Sequence, residues 1–379
     1  MCTLEDQLED GVSRFSEGPT AAVSAQAKAA SADLKLPHAD SRGWNSFLKG
    51  VLRKSWALDL TGRLTARDRV ETLLYHGLCP GSNRDPRFPK LMPVKEFEEH
   101  VRTCARYSRP LPLKQALQPG VSGVVITFDD GYANNFDLVF PVLEKYRCPA
   151  TIFLTTGFLD RSTPLWSDWL ESVIMNAPPK NTLFQWRDLS LTLQLANHSQ
   201  RTQIICEMRR ELRALTIAEI QEFLRALETH LCVRYDWDTL PELLRPLTWD
   251  QVRTMRASGL ISFGAHTVSH PVLSRCSEEI QTLEILESKR RIEQELGEEC
   301  AFFAYPYGKG DDYTEITKRI VTDAGFKFAL TAESGSTKPS SCNLYEVPRW
   351  GADITLNELS FLVAGGPAIT GYLRGNEQH

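Results

Sequence analysis

Gly123-Val124-Val125-Ile126-Thr127-Phe128-Asp129-Asp130-Gly131-Tyr132 is the stretch on which the fold turns. An apolar, β-branched run without polar alternation reads as a strand covered on both faces, the habit of parallel sheets. It stops abruptly in two adjacent carboxylates and a glycine. Like charges side by side at the end of a buried strand repel and lose solvent, a cost that a cation or a proton relieves. In α/β folds the carboxyl ends of parallel strands are where ligands sit. Two acids before a glycine also open ordinary turns, so the neighbouring segments have to decide.

Outward from this strand, 136–146 has helical spacing (Leu138, Val142, Leu143) and 150–155 is a second apolar run. Strand, helix and strand in succession imply a parallel sheet with right-handed crossovers. Upstream, 70–75 reads as a strand ending at His76-Gly77, 80–89 as a Pro/Gly/Ser loop, and 94–107 as a helix with Phe97, Val101 and Cys104 on one face. Downstream come a helix over 248–258 stopped by Gly259, a strand over 260–265, and a helix over 277–296 opened by Ser277-Glu278-Glu279 and closed by Gly297. A strand over 301–305, a helix over 313–324 and a strand over 326–331 follow, and Val347-Pro348-Arg349-Trp350 closes the core. At least five strand-then-helix units, with polar clusters just after the strands, predict a (β/α) barrel-like fold with its site at one rim. Residues 160–246 break the rhythm and read as a helical insertion, charged and helical around 202–230. Its Trp166, Trp169 and Trp186 are expected to pack, with stacking on a sugar as the alternative.

The totals narrow the function. A chain of 379 residues with a net charge of −5 has room for a sizeable core and no electrostatic footprint for nucleic acid. No run of eighteen apolar residues is present, so no membrane span is expected. Nine cysteines, scattered singly without a C-x-x-C pair, argue against a disulfide framework or a zinc ribbon and fit a reducing compartment. The first thirty residues are polar and acidic, unlike a secretory signal, which makes a cytoplasmic location the expectation. The predicted organisation is a disordered extension over 1–42, an amphipathic lead-in over 43–69, a catalytic domain over 70–355 and a tail over 356–379. Within the lead-in, 44–64 carries Phe47, Leu48, Val51, Leu52, Trp56 and Leu60 beside Lys49, Arg53, Lys54 and Arg63. Packing on the body is expected of it, with peripheral membrane contact as the alternative.

The candidate chemistry lies in two further clusters. His266 and His270 are separated by three residues, and on a helical turn both imidazoles would lie on one face, able to grip one metal. One carboxylate from Asp129-Asp130 completes two nitrogens and one oxygen, a catalytic zinc inventory with a position open for water. The other carboxylate is then left to take a proton from that water. Tyr307, in the stiff turn Pro306-Tyr307-Gly308, could aim its backbone N–H at a developing oxyanion, although such a tripeptide is also an ordinary turn.

Thr127-Phe128-Asp129-Asp130-Gly131, His266-Thr267-Val268-Ser269-His270 and Phe303-Ala304-Tyr305-Pro306-Tyr307-Gly308 together resemble the first three motifs of the polysaccharide deacetylases, or NodB homology domains, in the family's order. The resemblance covers roughly 70–350 apart from the insertion. It implies a distorted (β/α) barrel that uses a divalent metal, most often zinc, to remove N- or O-acetyl groups from a saccharide or polysaccharide. Carried across by motif, Asp129 is the general base, and Asp130, His266 and His270 are the metal ligands. The Tyr307 amide helps to hold the oxyanion, and Pro306, Tyr307 and Trp350 are expected against the substrate.

Two departures stand out. Where many members carry an arginine that pairs with the base, this chain has Ala304, and Arg349 is the candidate substitute, with a plain ion pair as the alternative. The family's late Leu-x-His motif is missing, since the only histidine after Tyr307 is His379. His76, in Leu74-Tyr75-His76-Gly77, is the candidate general acid; in this it resembles the biofilm poly-N-acetylglucosamine deacetylases, and a turn histidine is the alternative. Competing functions are a carbohydrate-binding protein that has lost turnover, and a metal hydrolase of a non-sugar amide. The lack of an export signal suits a nucleotide- or lipid-linked saccharide better than a cell-wall polymer.

Overall fold

A computed structural model of the chain describes residues 68–84 and 90–365. The expected extension over 1–42, the amphipathic segment 44–64 and residues 366–379 of the tail lie outside the described residues. Twelve strands occur in the described part: β1 (Val70–Tyr75), β2 (Gly77–Cys79), β3 (Leu91–Pro93), β4 (Gly123–Phe128), β5 (Ala150–Leu154), β6 (Asn181–Trp186), β7 (Leu189–Gln194), β8 (Ile261–Ala265), β9 (Phe302–Ala304), β10 (Phe328–Leu330), β11 (Ser336–Thr337) and β12 (Trp350–Gly351).

The main sheet runs in the order β10-β9-β8-β5-β4-β1 with every neighbour parallel. At its far edge β1 pairs antiparallel with β11 over its first residues and parallel with β12 over Leu73 and Leu74. The gap between β10 and β1 is bridged by one short segment. Val347 exchanges backbone hydrogen bonds with Ala329 and Thr331, and three residues later Trp350 has joined β1. The distorted (β/α) barrel is therefore closed by 347–351.

The continuous apolar run of β4 is explained by two cores. Val124, Ile126 and Phe128 face outward into the layer beneath the helices, among Leu73, Tyr75, Phe97, Val101 and Leu143. Val125 faces the barrel interior with Phe153, Ala304, Leu330 and Val347. Side chains alternate along a strand, and both faces are dry, so no polar alternation survives. Gly264 of β8 makes room inside: a Cβ there would stand 2.6 Å from the Phe153 ring.

The helices match the expected places, with two differences. The helix expected over 136–146 begins as a π-helical turn, Asn135–Val139, before the α-helix Phe140–Tyr146. The tail expected from 356 opens as a helix, Leu356–Val363, that buries Leu359, Leu362 and Val363 against the helix Val94–Tyr107. Between 166 and 231 lies a separate apolar core, around Leu170, Val173, Phe184, Phe223, Leu224 and Leu227, while Leu165 and Leu244 pack in the main core. This stretch contains the antiparallel hairpin β6–β7, which the helical expectation omitted, and the helices Trp166–Asn176, His198–Leu212 and Ile217–Leu231. All three tryptophans belong to the separate core or pack against it.

Candidate active site

Asp129 and Asp130 follow directly on β4 at the barrel mouth. Alternation along a strand would send consecutive side chains to opposite faces. A left-handed backbone at Asp130 (φ 78°) breaks it. Such a conformation costs a non-glycine residue roughly 1–2 kcal/mol, and it swings both carboxylates into one site. Each is almost fully buried.

Arg349 stands on the closing segment with no side-chain exposure. Its Nη1 and Nη2 donate to Asp129 Oδ1 and Oδ2 at 2.7 and 2.8 Å, and its Nε donates to the Thr331 carbonyl at 2.7 Å. The arginine thus arrives from a different strand end than in the motif that Ala304 interrupts. Burial pushes the Asp129 carboxyl up, but Arg349 and His266 outweigh it and hold the carboxyl below its ordinary value.

His266 and His270 do not share a helix. They sit on a loop after β8 in which Thr267 and His270 adopt left-handed backbones, φ 66° and 58°. The loop is held by Glu284 of the helix Glu278–Leu296, whose carboxylate accepts from the Val268 and Ser269 N–H groups at 2.8 Å each. His270 N–H donates to Thr267 Oγ1 at 3.0 Å. This clamp does what the expected helical turn would have done. The two rings meet edge to face at 4.8 Å, and both Nε2 atoms turn to Asp130 Oδ1, at 3.8 Å from His266 and 3.5 Å from His270.

The donor set fits a divalent metal. Nitrogen and oxygen ligands of a four-coordinate zinc, each about 2.0–2.2 Å from the ion, lie about 3.3–3.6 Å apart. Here one atom from each of Asp130, His266 and His270 lies within 4.8 Å of the others. Asp130 Oδ1 is buried without a hydrogen-bond partner, a state that a bound cation would relieve. His266 Nδ1 lies 2.7 Å from the Ala304 carbonyl, so Nδ1 carries the proton and Nε2 is left as the ligand atom. Burial drives His270 down to about 3, the neutral form a metal requires. Burial raises the Asp130 carboxyl, but Lys90 and the imidazoles of His270, His76 and His266 pull it below its ordinary value.

The remaining candidates are grouped around this centre. His76 follows β1, and its backbone carbonyl accepts from Asn135 Nδ2 at 3.0 Å. Burial lowers its pKa below the ordinary value, against the opposing charges of Asp130 and Asp129. Tyr307 has a left-handed backbone, φ 60°, and its N–H has no hydrogen bond among the described residues. Its ring packs on His270 at 4.8 Å. Trp350 donates from Nε1 to Glu71 at 2.7 Å and remains part-exposed. Pro306, at the start of the Tyr307 turn, is buried.

A family model described as polysaccharide deacetylase matches residues 117–329, a span longer than half the chain. The chain belongs to the polysaccharide deacetylase family. Among solved structures, this deacetylase-family fold is similar to that of the Streptococcus pyogenes deacetylase PplD, with a TM-score of 0.50 and 17% identity over 78% of this chain and 98% of that one. It is equally similar to IcaB from Ammonifex degensii, with a TM-score of 0.50 and 20% identity over 79% and 97%. YxkH of Bacillus subtilis (strain 168), a protein provisionally named a polysaccharide deacetylase, is 22% identical over 276 residues. That match covers 71% of this chain and 66% of YxkH, just under two thirds of its length.

Sequence reasoning missed several residues that build this deacetylase-family site. Glu284 clamps the histidine loop, Asn135 holds the His76 carbonyl, and Lys90, Tyr132 and Asp168 form a polar cluster beside Asp130. Asp168 alone left a trace: an acid between Trp166 and Trp169 on an apolar helix is a charge in need of a partner.

Proposed function

We propose that this chain is a metal-dependent hydrolase that removes N-acetyl groups from a saccharide. The observation that carries this reading is the division of labour between adjacent acids. Asp129 is held by the Arg349 fork, while Asp130 presents an unpartnered oxygen to the imidazoles of His266 and His270. A divalent metal held by Asp130, His266 and His270, zinc by the nature of the donors, would polarise the acyl carbonyl and acidify a water.

The chain's own residues then move the protons. Asp129 takes a proton from the attacking water, using a lone pair that the Arg349 fork leaves free. Arg349 fixes the carboxylate plane and keeps it ionised down to low pH. As the acyl carbon becomes tetrahedral, the unpaired Tyr307 N–H donates to its oxygen. His76 gives a proton to the departing nitrogen; burial holds its imidazole below the ordinary value, and the charges of Asp130 and Asp129 offset only part of that, which makes it a ready donor once protonated.

The test is acetate release from chitooligosaccharides by the full chain, with metal content measured alongside. Release that stops on chelation, returns with zinc and falls at least a hundredfold in Asp129→Asn is expected. Metal uptake with saccharide binding and no acetate would mean a binding protein. Turnover confined to small non-sugar amides, or to O-acetyl esters, would move the substrate class.

A further inference from the structure

Lys90 stands at the mouth of the site, on a segment none of the three motifs includes. Its side chain keeps 20% of its exposure, and its ammonium is held on two sides. Nζ donates to Asp168 Oδ1 at 2.7 Å and to Tyr132 Oη at 2.6 Å. Tyr132 in turn donates to Asp168 Oδ2 at 2.6 Å, which closes a ring of three groups. Asp168 and Tyr132 are buried. An ammonium has three protons, and two are committed here. The third side of Lys90 faces Asp130, with Nζ 3.9 Å from Oδ2.

The two oxygens of Asp130 thus have different neighbours. Oδ1 faces His266 and His270, and Oδ2 faces the ammonium. A carboxylate with equivalent oxygens can swing or bind a metal through both. One with a cation fixed at Oδ2 has a single oxygen left for the imidazole side. The cation itself is fixed from outside the barrel, because Asp168 belongs to the insertion helix Trp166–Asn176. Outer groups that orient a ligand are usually worth as much as part of the ligand set.

We propose that Lys90, clamped by Asp168 and Tyr132, is a positioning residue that holds Asp130 in its one-oxygen, metal-facing orientation, so that the insertion sets the affinity of the metal centre. The inference rests on the metal-dependent reading above and extends it to a segment outside the barrel. It also gives the insertion a role beyond packing its own core: Asp168 reaches the centre through one intermediate side chain.

The test is the zinc dissociation constant of the full-length chain, measured by competition with a chromophoric chelator. Lys90→Met is expected to weaken zinc at least tenfold, with Asp168→Asn between it and the wild type. A positive charge that merely sat nearby would repel zinc, so its removal would tighten binding; tightening or no change overturns the proposal. Lys90→Met also strands Asp168, which could loosen the insertion. The double variant Lys90→Met/Asp168→Asn removes that stranded charge: it stays as weak as Lys90→Met if Lys90 orients Asp130, and recovery to wild-type affinity overturns the proposal. A wild-type chain that takes up no zinc overturns the metal reading itself, and this inference with it.

Discussion

Arg349 grips Asp129 from 220 positions away in sequence, each guanidinium nitrogen of its fork on a separate carboxylate oxygen. Both groups are buried, so the pair is strong only while complete. Breaking a buried pair leaves an uncompensated charge and costs about 3–5 kcal/mol. Arg349→Met is therefore expected to lower the melting temperature of the chelator-treated protein, and the loss should depend on pH. In the wild type the folded Asp129 titrates below its ordinary value of 3.8. Its stabilising contribution is thus complete above that value and is lost only as pH falls through the depressed one. Without Arg349, burial dominates and raises the carboxyl, so the variant recovers stability as pH falls and the folded form takes up a proton. Melting curves between pH 8 and pH 5 should show the gap to wild type narrowing; a constant gap contradicts the charge argument.

His76 is assigned to the leaving group. His76→Ala should reduce kcat on N-acetyl substrates by about 10²–10⁴ with zinc content unchanged. An ester whose leaving oxygen is a weak base needs less protonation, so activated acetate esters should lose much less. Equal loss on amide and activated ester, or loss of zinc, would place His76 elsewhere in the mechanism.

Ligands that are already deprotonated bind metal without releasing protons. His270 titrates near 3 and Asp130 below its ordinary range. At pH 6 neither has a proton to lose. Calorimetric zinc titrations at that pH, in two buffers of different ionisation enthalpy, should give no more than one proton released per metal. Release of two or more would mean that the centre is assembled from protonated groups.

The Pro306-Tyr307-Gly308 turn depends on a close approach. Gly308 has φ 67°, and a Cβ there would stand 2.6 Å from the Ala332 nitrogen, whose N–H donates to the Gly308 carbonyl. Gly308→Ala should destabilise the fold by more than about 1 kcal/mol. It should also lower kcat more than it raises KM, because the displaced Tyr307 amide serves the oxyanion rather than the ground state. A variant with wild-type kcat would remove the amide from the mechanism.

The legible parts of this molecule were the local ones. Gly123–Phe128 declared itself because a strand dry on both faces must be apolar throughout, and Asp129-Asp130 because charges interrupt it. The spacing of His266 and His270 was visible, but the reason it works was not. Two left-handed residues and Glu284, fourteen positions beyond His270, replace the imagined helix. Lys90, Tyr132 and Asp168 had no common signature, since each is an ordinary residue until tertiary packing brings them together. The hairpin β6–β7 escaped notice because its alternation is mixed and its apolar positions face a small separate core.

The barrel is closed by a few residues around Arg349, and those residues are made late. During synthesis the strand bearing Asp129 leaves the ribosome long before the arginine that neutralises it, as does the whole insertion. Until 347–351 wedge between β10 and β1, the base has no guanidinium and the cylinder has an open seam. Hydrolytic competence is thereby tied to synthesis past Arg349: a fragment ending before it would carry every proposed metal ligand and lack the partner of its base.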